Sequence, residues 1–146
     1  MWLEPSGERD RTIEMFEDIK VLENRIYVGT DSHSYGNEWL FATVVCCHTP
    51  GRGGRFYTKR LRFPREQFKT LVDRLLYEAF LSVEIAQEIE ETTGRKAKVH
   101  VDVSSRDTKS SKFHSNISSY VLGMGFEVSC KPESWASSCV ADRQAR

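Results

Sequence analysis

The spacing of apolar positions changes along the chain, and each change marks an element. Ile13, Phe16 and Ile19 recur at helical spacing within residues 10–22, which predicts a short leading helix. Ile26 to Asp31 reads as a strand, closed by the polar run Ser32-His33-Ser34-Tyr35-Gly36-Asn37. Trp39 to His48 is nearly continuous in apolar character, as expected of a buried strand. After the turn Pro50-Gly51-Arg52-Gly53-Gly54, residues Arg55 to Phe63 alternate, with Tyr57, Leu61 and Phe63 on one face and Arg60 and Arg62 on the other. Three strands joined by such short connections predict an antiparallel meander.

Pro64 is placed to open a long helix, since proline suits a first-turn position. The core stripe of that helix is predicted as Phe68, Val72, Leu75, Leu76, Ala79, Val83 and Ala86, and Gly94 closes it. A fourth strand at Ala97–Val103, a helix from about Ser110 to Met124 and a fifth strand at Phe126–Lys131 follow. Pro132 breaks that strand, and Ser134 is placed to cap a final helix reaching the C-terminus. The order β-β-β-α-β-α-β-α predicts an α/β fold with a five-stranded mixed sheet flanked by helices, strands four and five lying parallel to strand one. Residues 1–25 read as an N-terminal extension carrying the short helix, and residues 26–146 as the domain.

Composition excludes some classes. An apolar share of 39% with 29% charged residues fits an ordinary globule. No apolar run approaches the roughly 18 residues a membrane helix needs, so no membrane partner is expected. The opening Met1-Trp2-Leu3-Glu4-Pro5 lacks the basic and apolar stretches of a secretory signal, and a cytoplasmic location is expected. The four cysteines form no C-x-x-C pair, in keeping with that location. Cys46 and His48 share a strand face, which leaves a zinc site open beside the plainer reading of a small buried hydrophobe.

Charge adds a direction. The 21 basic and 21 acidic residues cancel, yet no acid falls between Trp39 and Arg65, where Arg52, Arg55, Lys59, Arg60, Arg62 and Arg65 lie. A neutral total can thus hide a basic face suited to a polyanion, or a solvated edge hairpin guarded by its charges. Lys109 and Lys112, in the polar loop after the fourth strand, are further candidates for phosphate contact.

The acids give the chemistry. Asp31 ends the first strand and Asp102 sits in a valine run in the fourth, so neighbouring strands would bring both carboxylates to one face near the carboxyl ends. Two such groups side by side repel unless a cation joins them. On the final helix Trp135, Cys139 and Asp142 share a stripe that must face the sheet, which makes Asp142 a third donor. Oxygen donors from two strands and a helix suit Mg²⁺ or Mn²⁺. A fourth acid could come from the long helix, with Glu78 at the border of the apolar stripe preferred to Glu84. His100 shares the face of Asp102 and could contact substrate or hydrogen-bond within a packed interior.

Four stretches carry a family resemblance: Val28-Gly29-Thr30-Asp31-Ser32, His100-Val101-Asp102-Val103, Gly123-Met124-Gly125-Phe126, and the run from Lys131-Pro132-Glu133-Ser134-Trp135 to Asp142-Arg143. Together they resemble the YkuK-like ribonuclease-H-like family (DUF458) from Ile26 to the C-terminus. The helix stretches Leu76-Tyr77-Glu78-Ala79 and Ser82-Val83-Glu84 resemble its long helix. The resemblance implies a ribonuclease-H-like fold and a metal-dependent nuclease, with Asp31, Asp102 and Asp142 at the family's acidic positions. Members often carry Gln where this chain has His33, and His or Tyr where it has Gln144. Either turnover would then be slow, or a proton-shuttling role would pass to His33 or His114.

The expected function is therefore a Mg²⁺- or Mn²⁺-dependent nuclease acting on RNA, an RNA–DNA hybrid or structured DNA. Asp31, Asp102, Asp142 and Glu78 would be catalytic, with the three aspartates holding metal. Arg55, Lys59, Arg60, Arg62, Lys109 and Lys112 would hold nucleic acid. The alternative is a non-catalytic nucleic-acid-binding or adaptor protein on the same fold. A homodimer through an exposed sheet edge or the leading helix is a further expectation.

Overall fold

The computed structural model describes residues 1–3, 9–104 and 111–131. Its elements are α1 (Thr12–Lys20), β1 (Arg25–Tyr35), β2 (Glu38–Thr49), β3 (Gly53–Pro64), α2 (Leu71–Thr93), β4 (Lys98–Ser104), α3 (His114–Gly123) and β5 (Val128–Lys131). The five strands form one mixed sheet in the order β3-β2-β1-β4-β5. β1 and β2 pair antiparallel, as do β2 and β3, while β4 lies parallel to both β1 and β5. The predicted five-stranded mixed sheet is thus the observed one, with β1 at its centre.

Register assigns the faces. Ile26, Val28, Thr30 and Ser32 of β1 stand level with Cys47, Val45, Thr43 and Phe41 of β2, and Val28 with Val99 of β4. α2 packs on β1 and β4, burying Leu75, Ala79, Val83, Ala86 and Ile89 in a core shared with Val28, Val45, Tyr57, Val99 and Val101. α1 joins this core through Met15 and Ile19, and α3 through Ile117 and Val121. A second cluster, Phe41, Phe68 and Leu81 with Tyr77 and Phe63 packed against it, braces the start of α2 over the hairpin end of the sheet.

Several boundaries differ from the sequence reading. β1 continues through its polar run to Tyr35 and turns at Gly36, where φ is 60°. Ser32, His33 and Ser34 stay in the ladder because Phe41, Leu40 and Trp39 pair with them, and a strand needs partners more than it needs apolar side chains. Pro64 ends β3 rather than opening the helix. It is in extended backbone at the end of an edge strand, its nitrogen on the side away from β2, where the missing N–H costs nothing, and a 3-10 turn at Arg65–Gln67 follows. α2 starts after Thr70, whose hydroxyl accepts the Asp73 N–H at 3.1 Å. Gly94 closes it with φ 74°, as predicted.

Two predicted core residues face outward: Leu76 is 42% exposed and Ile13 80%. Buried Ile85 and Ile89 carry the stripe of α2 farther than predicted, and Met15 takes the inward place assigned to Ile13. The fifth strand is shorter than predicted, and α3 begins at His114 after a 3-10 turn. The predicted final helix lies outside the described residues. Among those described, no helix is long and apolar enough to cross a membrane.

Candidate metal centre

The β1–β4 ladder runs from Tyr27 with Lys98 to Gly29 with His100. Two residues beyond that last pair, in both strands, stand Asp31 and Asp102 on the sheet face opposite Val99 and Val101. Past His100 the crevice between the strands is lined by Thr30, Glu78, His100 and Asp102. α2 covers the other face, and Glu78 enters this crevice from it. One carboxylate oxygen from each of Asp31, Glu78 and Asp102 comes within 4.8 Å of the others.

Asp31 is 7% exposed and Glu78 only 5%. Two ionised carboxylates at such a spacing repel by about 3 kcal/mol at an effective dielectric near 20. Three all-oxygen donors converging in a half-enclosed crevice match the donor set of a hard divalent cation such as Mg²⁺ or Mn²⁺. His100, buried behind Asp102 with its ring 5.1 Å from that of Tyr27, is a poor source of neutralising charge. Burial, aided by the Lys98 cation, pushes its pKa down to about 4, so it is neutral at pH 7.

One hydroxyl group bonds Glu78 directly, and others lie beside it. The Ser32 hydroxyl donates to Glu78 Oε2 at 2.5 Å. One helical turn along α2, the Ser82 hydroxyl lies 2.7 Å from that of Thr30, which in turn lies 2.8 Å from the Thr43 hydroxyl of β2. On the opposite flank Tyr77 packs edge-on against Phe41, ring centroids 5.3 Å apart.

The structure thus brings together Asp31, Asp102 and Glu78, while Glu84 lies exposed outside the cluster. Asp142 and Lys109 lie outside the described residues. Cys46 and His48 join no metal-sized cluster among the described residues.

The basic strand divides. Arg60 and Arg62 share the face of Asp31, through the row Asp31, Ala42, Arg60 and the row His33, Leu40, Arg62. Lys59 stands on the α2 side, level with Thr43. The Arg55 guanidinium is engaged inside the protein, donating to Asp18 at 2.7 and 3.0 Å and to Thr49 at 2.8 Å. Lys112 is exposed in the turn before α3. The residues missed from sequence are Thr30, Ser32, Thr43 and Ser82. Their signal is a hydroxyl at each place where the inward face of a strand or helix should be apolar.

A family model described as Ribonuclease H-like matches residues 10–146 of the chain. Neither a comparison with curated proteins nor one with solved structures gives a match.

Proposed function

We propose that this chain, which belongs to the ribonuclease-H-like family, is a Mg²⁺- or Mn²⁺-dependent nuclease of that family's YkuK-like branch. Its substrate would be RNA, an RNA–DNA hybrid or structured DNA. The observation that carries the reading is the meeting of Asp31, Glu78 and Asp102, from β1, α2 and β4, within 4.8 Å of one another. No packing need calls for three acids there, and divalent cations offset their repulsion.

In this reading Asp31, Asp102 and Glu78 would hold the ions, Glu78 from the helix side, and Asp142 would complete the set. Bound there, such ions would supply an activated water and neutralise charge at the leaving oxygen. The protein's own part is to fix its carboxylates before substrate arrives, which the crevice and the hydroxyl contact from Ser32 favour. Arg60 and Arg62, on the Asp31 face, are placed to neutralise neighbouring phosphates, and Lys59, Lys109 and Lys112 are further candidates for phosphate contact. Arg55 contributes less to this group, because its Nε and Nη2 donors are engaged by Asp18 and Thr49.

The test is a cleavage panel of labelled RNA, hybrid, single-stranded and junction substrates with Mg²⁺, Mn²⁺ or EDTA. Cleavage should require the metal, and Asp31→Asn should abolish it while leaving the melting transition in place. Cleavage that survives EDTA or Asp31→Asn would overturn the assignment. Binding that weakens steeply with salt, with no cleavage in either metal, would point to the adaptor reading instead.

A further inference from the structure

We propose that Ser32 is a positioning residue for the metal centre, setting cation affinity through Glu78 without being a ligand. The inference rests on the metal-binding reading above and deepens it. Ser32 follows Asp31 in β1, so the alternation of the strand sends the two side chains to opposite faces: Asp31 to the face away from α2 and Ser32 toward α2. The buried Ser32 hydroxyl donates to Glu78 Oε2.

A second contact makes this a designed register. Ser82 meets Thr30 as Glu78 meets Ser32, four residues apart on the helix and two on the strand. Four helical residues advance about 6 Å and two strand residues about 6.7 Å, so the two contacts run in step along antiparallel elements. Thr30 is tied in turn to Thr43, which fixes that rung to the sheet. The Ser82 rung is thus one of the many contacts that pack α2 on the sheet, whereas the Ser32 rung touches the Glu78 carboxylate itself.

Their consequences differ. A hydroxyl that donates to a carboxylate favours its charged form and restricts its rotation, which are the two properties a metal ligand needs. Without it, Glu78 must find its place against the repulsion of Asp31 and Asp102. Removing Ser82 loosens the interior but leaves the donor to Glu78 intact.

The experiment is Mn²⁺ binding to the full chain without nucleic acid, followed by calorimetry and by the electron paramagnetic resonance of free Mn²⁺. Ser32→Ala should weaken binding about tenfold, as removal of a group that orients a ligand does, and Ser32→Thr should restore it. Ser82→Ala should lower the melting temperature with Mn²⁺ affinity within about twofold of wild type. The Ser32→Ala effect should vanish when Glu78 is already Gln, since neighbouring groups acting through one contact are not additive. Wild-type affinity in Ser32→Ala, with Glu78→Gln still weakened, overturns the Ser32 role and leaves the metal centre standing. Absence of Mn²⁺ binding by the wild type overturns both. If Ser32→Ala does not fold, Ser32→Cys, a poorer donor of similar size, takes its place with the same expected direction.

Discussion

Asp18 shows how a charge outside the metal centre supports the fold. It sits on α1 and accepts hydrogen bonds from Arg55, Tyr57 and Asn24, fastening the leading helix to β3 and to the start of β1. Burial pushes its carboxyl up, but the bonds from Arg55 and Tyr57 outweigh this and hold its pKa below the usual 3.8. A depressed acid contributes stability that is present in full above its unfolded value and lost as the pH falls through the folded one. Urea unfolding stepped from pH 6 to pH 2 should therefore show a loss of stability below about pH 4 that is smaller in Asp18→Asn. At pH 7 that substitution should cost about 2 kcal/mol, the range for hydrogen bonds to a charged group. Glu78 and Glu84 make the matching test at the metal centre. Glu78→Gln should lower Mn²⁺-dependent cleavage by about 100-fold or more, whereas Glu84→Gln, on the exposed face of α2, should leave it near wild type. Asp31 and Asp102 were legible in the sequence because a charge beside a valine run is costly without a purpose. Glu78 was only a preference there, since a helix-flank glutamate looks the same whether it meets solvent or a crevice.

Among elements, α2 does most to place the acids, and its ends govern its register. Thr70 caps its first turn and Gly94 its last, the latter at a positive φ that a side chain strains. Thr70→Ala and Gly94→Ala should each cost about 1 kcal/mol, read as a lower urea midpoint with an unchanged slope. The existence and period of this helix were plain from its apolar spacing, but its start was misplaced by seven residues, Leu71 rather than Pro64. Pro64 suits both the head of a helix and the end of an edge strand, and only the pairing of Glu38 with Pro64 separates the two. The polar stretch after Asp31 was misread for a related reason: cross-strand partners decide whether Ser32 and His33 stay in a strand, and those partners are distant in sequence.

For the molecule as a whole, element order was sufficient to specify the sheet, because short hairpins and helical crossovers leave few ways to arrange five strands. The convergence of carboxylates 71 positions apart in the chain follows from that order and could be anticipated. The hydroxyl contacts beneath them could not, as they depend on how α2 is rotated about its axis. Since β1, α2 and β4 all contribute to the cluster, a cation bound there would hold only the native arrangement. Mn²⁺ at about 100 times its dissociation constant should add about 2.7 kcal/mol and raise the melting temperature by several degrees, a gain absent in Asp31→Asn.

The outer border of the sheet carries its own consequence. Thr58, at the middle of the twelve residues of β3, exchanges both of its main-chain bonds with Leu3 at 2.9 Å. A second copy arriving edge-on would find the central rung of its zipper already taken. Continuous growth of the sheet from one molecule into another would first have to evict the chain's own opening residues, so the same few residues that complete the fold also guard it against stacking into fibres.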